Sequence, residues 1–212
     1  MSEPLLEQRI DTFLEQLASS APTPGGGSVA AITGAMAAGL LTMVCDLTIG
    51  KKQYAEFEEE AIRLRERAEA LRGELQLLAQ ADVDAFGRLS AAYRLPRATD
   101  ADAAARRAAI QAALRHATDI PFRTARAAAG LLPLCDPLAR AGNRLAVSDV
   151  GAAVLLIEAT VPAALLNVEI NLPMLEDQLF VREMRIASDV LTGGLTEAAQ
   201  RAMALVRSRM AS

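Results

Sequence analysis

The stretch Ala61-Ile-Arg-Leu-Arg-Glu-Arg-Ala-Glu-Ala-Leu-Arg-Gly-Glu-Leu-Gln-Leu-Leu78 steps its apolar residues alternately by three and four, through Ala61, Leu64, Ala68, Leu71, Leu75 and Leu78. Ala85, Leu89 and Ala92 prolong the line to about Tyr93, and Asp82 fills one step of it. Heptad spacing sustained this far belongs to a long helix that packs nearly antiparallel against others. The spacing predicts such a helix over 54–93, with a carboxylate set into its seam.

The same pattern extends in both directions. Residues 5–18 carry Leu6, Ile10, Phe13, Leu14 and Leu17 on one face, which predicts an amphipathic helix. Thr99 with Asp102 three residues on reads as a capping pair that opens a helix to about Thr118, with Pro121 kinking or restarting it. Gly142 and Asn143 read as a turn, after which Ser148 is expected to cap a helix over 150–170. An amphipathic stretch over 177–190 and a terminal helix follow, divided by Gly193 and Gly194. Aromatic residues make up 3% of the 212 residues while Ala and Leu dominate, so strand propensity is low and helix propensity high. The expectation is an all-α protein, one domain over 1–212, built as a bundle of long antiparallel helices.

Two helices stand apart. Residues 29–49 hold a single charge, Asp46, and are long enough to cross a membrane. Residues 150–170 are nearly as apolar, although Glu158 and Pro162 interrupt them. The amphipathic character of the other helices favours two buried central helices, with Gly34 and small neighbours permitting close contact. A membrane span is the alternative.

Composition narrows the function. A net charge of −4 without a basic tail argues against nucleic acid as a partner. One histidine, His116, and two distant cysteines, Cys45 and Cys135, leave no imidazole or thiolate metal cluster and no serine-histidine pair. No metal and no prosthetic group are expected, and the absence of a signal-like N-terminus points to the cytoplasm. Acid-base work falls to carboxylate, lysine or tyrosine.

Three features suit that work, each with a plainer reading beside it. Gly25, Gly26 and Gly27 followed by Ser28 end at a helix start, where free backbone N–H groups favour an anion; the plain reading is a flexible entry loop. Burial of Asp82 in an apolar seam raises its pKa toward the range of a proton shuttle, or it forms a structural ion pair. Of 22 basic residues only the adjacent Lys51 and Lys52 are lysines, which suggests a task guanidinium cannot perform; the plain reading is charge at a helix C-terminus.

The segments 21–28 (Ala-Pro-Thr-Pro-Gly-Gly-Gly-Ser) and 47–54 (Leu-Thr-Ile-Gly-Lys-Lys-Gln-Tyr), parted by a small-residue apolar helix, resemble the formiminotransferase-cyclodeaminase (cyclodeaminase/cyclohydrolase) family. The likeness continues through 82–86 (Asp-Val-Asp-Ala-Phe), 92–96 (Ala-Tyr-Arg-Leu-Pro), Gly142-Asn143, Ser148-Asp149 and 166–172 (Leu-Asn-Val-Glu-Ile-Asn-Leu). Where family members often carry a second Asn, this chain has Leu145. The resemblance implies an all-helical fold and a homodimer. It also implies a tetrahydrofolate substrate, possibly polyglutamated in its tail, that is either closed from 5-formimino- to 5,10-methenyltetrahydrofolate with loss of ammonia or interconverted between the methenyl and 10-formyl forms. On this expectation Asp82, Lys51, Lys52 and Tyr54 are catalytic. Gly25, Gly26, Gly27, Ser28, Asn143, Ser148, Asp149, Asn167 and Asn171 bind substrate, the glycine loop taking the glutamate tail. A non-enzymatic helical interaction module is the competing class, which leaves the glycine loop and paired lysines without a purpose.

Overall fold

A computed structural model describes residues 4–211, and among them every regular element is helical. The helices are α1 (Ile10–Leu17), α2 (Gly26–Thr48), α3 (Glu58–Tyr93), α4 (Asp100–Ala129), α5 (Leu132–Ala141), α6 (Val147–Glu169), α7 (Gln178–Thr192) and α8 (Leu195–Ala211). Helix α2 lies at the centre, flanked by α3 and α6, and α4 closes the layer behind against both flanks. Helices α5 and α8 pack beside α6, with α7 at the periphery. One apolar cluster runs through all of this.

The seam of α3 is buried as its spacing demands: Ala61, Ala68, Leu71, Leu75, Leu78, Ala85 and Ala92 are all interior. Close packing to α2 depends on Gly34, where an added Cβ would meet the Leu75 methyls at 3.1–3.2 Å and Thr160 at 3.4 Å. Helix α6 runs antiparallel to α2, since Asn167 lies at Gly26 while Asn143 bonds to Leu47 and Thr48. Both cysteines are buried, and burial pushes their thiols up to about 12, which makes them packing groups.

Several local expectations need correction. The first segment divides into a 3-10 turn (Leu5–Glu7), tied down by the Leu5 N–H donating to Gln80 Oε1 at 2.9 Å, and α1, which buries no residue. Helix α3 begins at Glu58 rather than Tyr54, because Gly50 turns the chain at φ 73 and Tyr54 breaks the following 3-10 segment at φ −119, ψ 16. The capping box of Thr99 and Asp102 forms, yet Pro121 does not end α4. Ser148 is not a cap: α6 begins at Val147, and the side chain that caps the entering turn is Asn143, accepting from Leu145 N–H at 3.0 Å. The two apolar helices are not enclosed on all sides. Each buries about half of its most apolar window and presents Met36, Met43, Leu47, Leu155 and Leu166 outward.

Candidate active site

The N-terminus of α2 opens toward the end of the bundle. Its cap residue, Gly25, has no side chain, and no cap bond forms there. The missing acceptor comes from α3. Ser28 Oγ–H donates to Asp82 Oδ2 at 2.8 Å, and the Ser28 backbone N–H donates to the same carboxylate. Gly27 makes the approach possible, for a Cβ there would run into the Asp82 carboxylate. Here the glycine is required for lack of space, not for an unusual φ.

Two opposed effects act on Asp82. Burial raises its pKa and is the larger; the Ser28 hydroxyl and backbone N–H lower it. The net direction is upward, which holds the carboxyl nearer the range where it can take and return a proton.

Asn167 and Asn171 arrive from the end of α6. The Asn167 amide sits 3.6 Å from where a Gly26 Cβ would be, and its Nδ2 donates to Ala163 O at 2.9 Å. Asn171 Nδ2 donates at 3.0 Å to both Ala117 O and Asn167 O. Ala117 O is free for this because residue 121 is proline and has no N–H to return to it. The internal proline of α4 thus docks the Asn171 side chain. Sequence reading registered Pro121 only as a helix breaker, since the acceptor it releases has meaning only once α6 lies alongside.

These groups surround a cavity of about 380 Å³ with Gly25, Gly26, Gly27, Asp82, Asn167 and Asn171 as its polar lining and Phe86, Leu89, Ala117, Ile170 and Met174 as apolar walls. Few convergent polar groups in an apolar cleft of this size suit a small organic ligand. A neighbouring cleft of about 630 Å³ shares Pro22, Thr23 and Phe86 and adds Arg88 and Arg94. A cleft of about 370 Å³ between α5 and the α7–α8 turn has Asp136 and Arg201 as its charged lining and no amide side chain. Leu89, Ala117 and Met174 were not foreseen; Ala117 and Met174 come from elements the α3 motif could not reveal.

The remaining expected residues lie elsewhere. Lys51 and Lys52 are exposed beyond the C-terminus of α2, at the opposite end from Asp82. Tyr54 Oη accepts from Arg144 N–H at 3.0 Å. Asn143 donates its Nδ2 to Leu47 O at 2.7 Å and its N–H to Thr48 Oγ1 at 2.8 Å, so its side chain is committed to the turn. Ser148 and Asp149 stand at that end too, on the first turn of α6. One chain therefore does not assemble Asp82 with the lysines and Tyr54 into one site. Ser28 also differs from expectation: it is wholly buried and holds Asp82.

A helix-end cavity with a half-buried carboxylate and paired amides, carried on an all-α bundle, is the kind of site that suits a small-molecule enzyme. Residues 9–189 match the family model described as formiminotransferase-cyclodeaminase. The chain belongs to that family. It is 47% identical over 176 residues to the methenyltetrahydrofolate cyclohydrolase of Methylorubrum extorquens, covering 83% of this chain and 85% of the relative. Against the formimidoyltransferase-cyclodeaminase of Sus scrofa it is 36% identical over 196 residues, which span 92% of this chain but 36% of that longer protein. The crystal structure of formiminotetrahydrofolate cyclodeaminase from Thermotoga maritima superposes with a TM-score of 0.84 at 30% identity, covering 96% of this chain and 98% of the other.

Proposed function

We propose that this chain is a folate one-carbon enzyme, and specifically a methenyltetrahydrofolate cyclohydrolase. The observation that carries the choice is the 47% identity to a cyclohydrolase over most of both chains; the cyclodeaminase relatives named above share 36% and 30%. The site supplies what the reaction needs. Asp82 takes a proton from water as the water oxygen bonds to the cationic methenyl carbon between N5 and N10. N5 then receives a proton and the C–N5 bond breaks with its electron pair on N5. The hydroxyl gives up its proton as the formyl C=O forms, and one net proton passes to solvent.

The amides of Asn167 and Asn171 spend Nδ2 on backbone carbonyls, which directs their oxygens to the N–H donors of the pterin edge. The apolar walls take the ring faces and exclude water from all but the reacting position. The glycine loop is a poor seat for the glutamate tail, because Asp82 already occupies the N-terminus of α2 and would repel a second carboxylate. We place the tail toward Arg88 and Arg94 in the adjoining cleft.

The fold match to a cyclodeaminase supports a second reading on the same residues. There N10 attacks the formimino carbon and gives up its proton, and the amino group leaves as ammonia with one proton taken from solvent. Purified protein mixed with each folate separates the two. Accelerated loss of the methenyl chromophore to 10-formyltetrahydrofolate is the expected result, whereas its appearance with ammonia from 5-formiminotetrahydrofolate would assign the second. Asp82→Asn should lower turnover by about 100-fold or more in a folded protein; undiminished turnover would remove Asp82 from the reaction.

A further inference from the structure

Part of the cavity wall is carried by no long helix. Helix α6 ends at Glu169 and α7 begins at Gln178, and the strap between them carries Asn171 and Met174, two of the residues that line the Asp82 cavity. A 3-10 turn (Leu172–Met174) opens the strap, and Leu175 continues it in extended backbone at φ −85, ψ 135. Leu172 and Leu175 are buried and anchor it to the core, while Met174 between them is 43% exposed on the cavity wall. An extended segment in a helical bundle has no neighbouring strand to satisfy its backbone, so its polar groups need another source of partners.

Helix α4 supplies them. Gln111 Nε2 donates to Met174 O at 3.0 Å, and Glu176 N–H donates to Gln111 Oε1 at 2.9 Å. One side-chain amide thus closes on both sides of Leu175, as an adjacent strand would. The pairing needs a donor and an acceptor together at the end of two methylenes: glutamate has no donor for Met174 O, and asparagine is one methylene shorter. Arg107 and Arg115, one turn to either side of Gln111, ion-pair with Glu176 and Asp177 at 2.7 Å. Both pairs are half exposed or more, so they draw the strap to α4 but fix its position weakly. Setting the strap at Met174 therefore falls to Gln111. Beyond it the Met174 sulfur lies 4.0 Å from the Tyr93 hydroxyl, and Arg106 Nη2 donates to Tyr93 O at 3.1 Å, so α4 holds both sides of that contact.

We propose that Gln111 is a positioning residue for the substrate ring. It holds Met174 in the cavity wall, and that wall, with Phe86 and Leu89 from α3, grips the flat pterin. This deepens the folate reading and rests on it for the identity of the ring. Asp82 and Ser28 stand on α3 and α2, outside the strap, so loosening the strap weakens binding and leaves the reacting carboxyl in place.

Gln111→Met keeps the length of the side chain and its helix propensity and removes both hydrogen bonds. KM for methenyltetrahydrofolate should rise by about fivefold or more, with kcat within about twofold. A purely structural role would lower Tm and leave KM as it was. Adding Gln111→Met to Met174→Ala should change KM by less than about twofold, because a latch that acts through Met174 then has nothing to hold. An unchanged KM in the single variant, a drop in kcat beyond that range, or effects that multiply in the double variant would each overturn the proposal. Amide exchange in the unaltered protein tests the latch without any variant. The Glu176 N–H should exchange at least about 10-fold more slowly than in an unstructured chain, and unprotected exchange there would overturn the latch. If the unaltered protein acts on neither folate, the folate reading fails, and the Glu176 exchange rate still decides whether Gln111 holds the strap.

Discussion

Replacing Gly27 with alanine adds one methyl group at the point where α2 meets the Asp82 side chain. The new Cβ would stand 2.6 Å from Asp82 Cγ and 2.8 Å from Oδ2, where ordinary contact begins near 3.4 Å. Helix backbone holds the Cβ in place, so the carboxylate must withdraw by about 1 Å, and the 2.8 Å bond from Ser28 Oγ is lost with it. A hydrogen bond to a charged group contributes about 1.5–3 kcal/mol. The better helix propensity of alanine offsets at most about 1 kcal/mol of that, leaving a net loss of about 1–2 kcal/mol. In a chain of this length the melting temperature should fall by about 2–8 °C. Catalysis should suffer more, since a misplacement of about 1 Å in a reacting group costs about 100-fold. Gly26→Ala is the control: its Cβ would lie 3.6 Å from the Asn167 amide, an ordinary contact, and thermal stability should hold. The assay follows methenyl absorbance for kcat/KM and circular dichroism for Tm. A Gly27→Ala protein with kcat/KM within about twofold of the unaltered enzyme would refute the claim that this contact positions Asp82.

Three further outcomes follow from the same geometry. Because burial holds the Asp82 pKa above its unfolded value, its contribution to stability is full below the unfolded carboxylate pKa of about 3.9 and is lost as pH rises through the folded value. Asp82→Asn, a neutral mimic, should thus be the more stable protein at pH 8, with the gap closing toward pH 4; denaturant melts showing a constant gap would contradict this. Pro121→Ala supplies an N–H that claims Ala117 O from Asn171, so KM for the folate should rise several-fold with little change in Tm, and an unchanged KM would detach Asn171 from binding. Thr48→Val removes the acceptor of the Asn143 N–H and the buried hydroxyl's bond to Val44 O. The expected loss is about 1–3 kcal/mol, read as a Tm lower by about 2–4 °C per kcal/mol; an unaltered Tm would mean that the turn does not depend on this bond.

The sequence by itself determined the helical class and much of the register. A three-and-four spacing leaves only one way for Ala61 to Ala92 to share a face, and the structure buries that face. The glycines at the start of α2, the seam carboxylate and the paired asparagines were legible for the same reason: each is the wrong residue for its local surroundings unless something beyond the helix needs it. What periodicity cannot carry is which ends meet. Asp82 and Ser28 are 54 residues apart and touch, while Ser28 and Lys51, separated by less than half that distance in sequence, stand at opposite ends of a rigid rod. Tertiary packing alone decided this, because a helix turns sequence proximity into axial separation at about 1.5 Å per residue and only lateral docking returns distant residues to one place. The same holds for Ala117, which enters the cavity because Pro121 leaves its carbonyl free and α6 brings Asn171 to it.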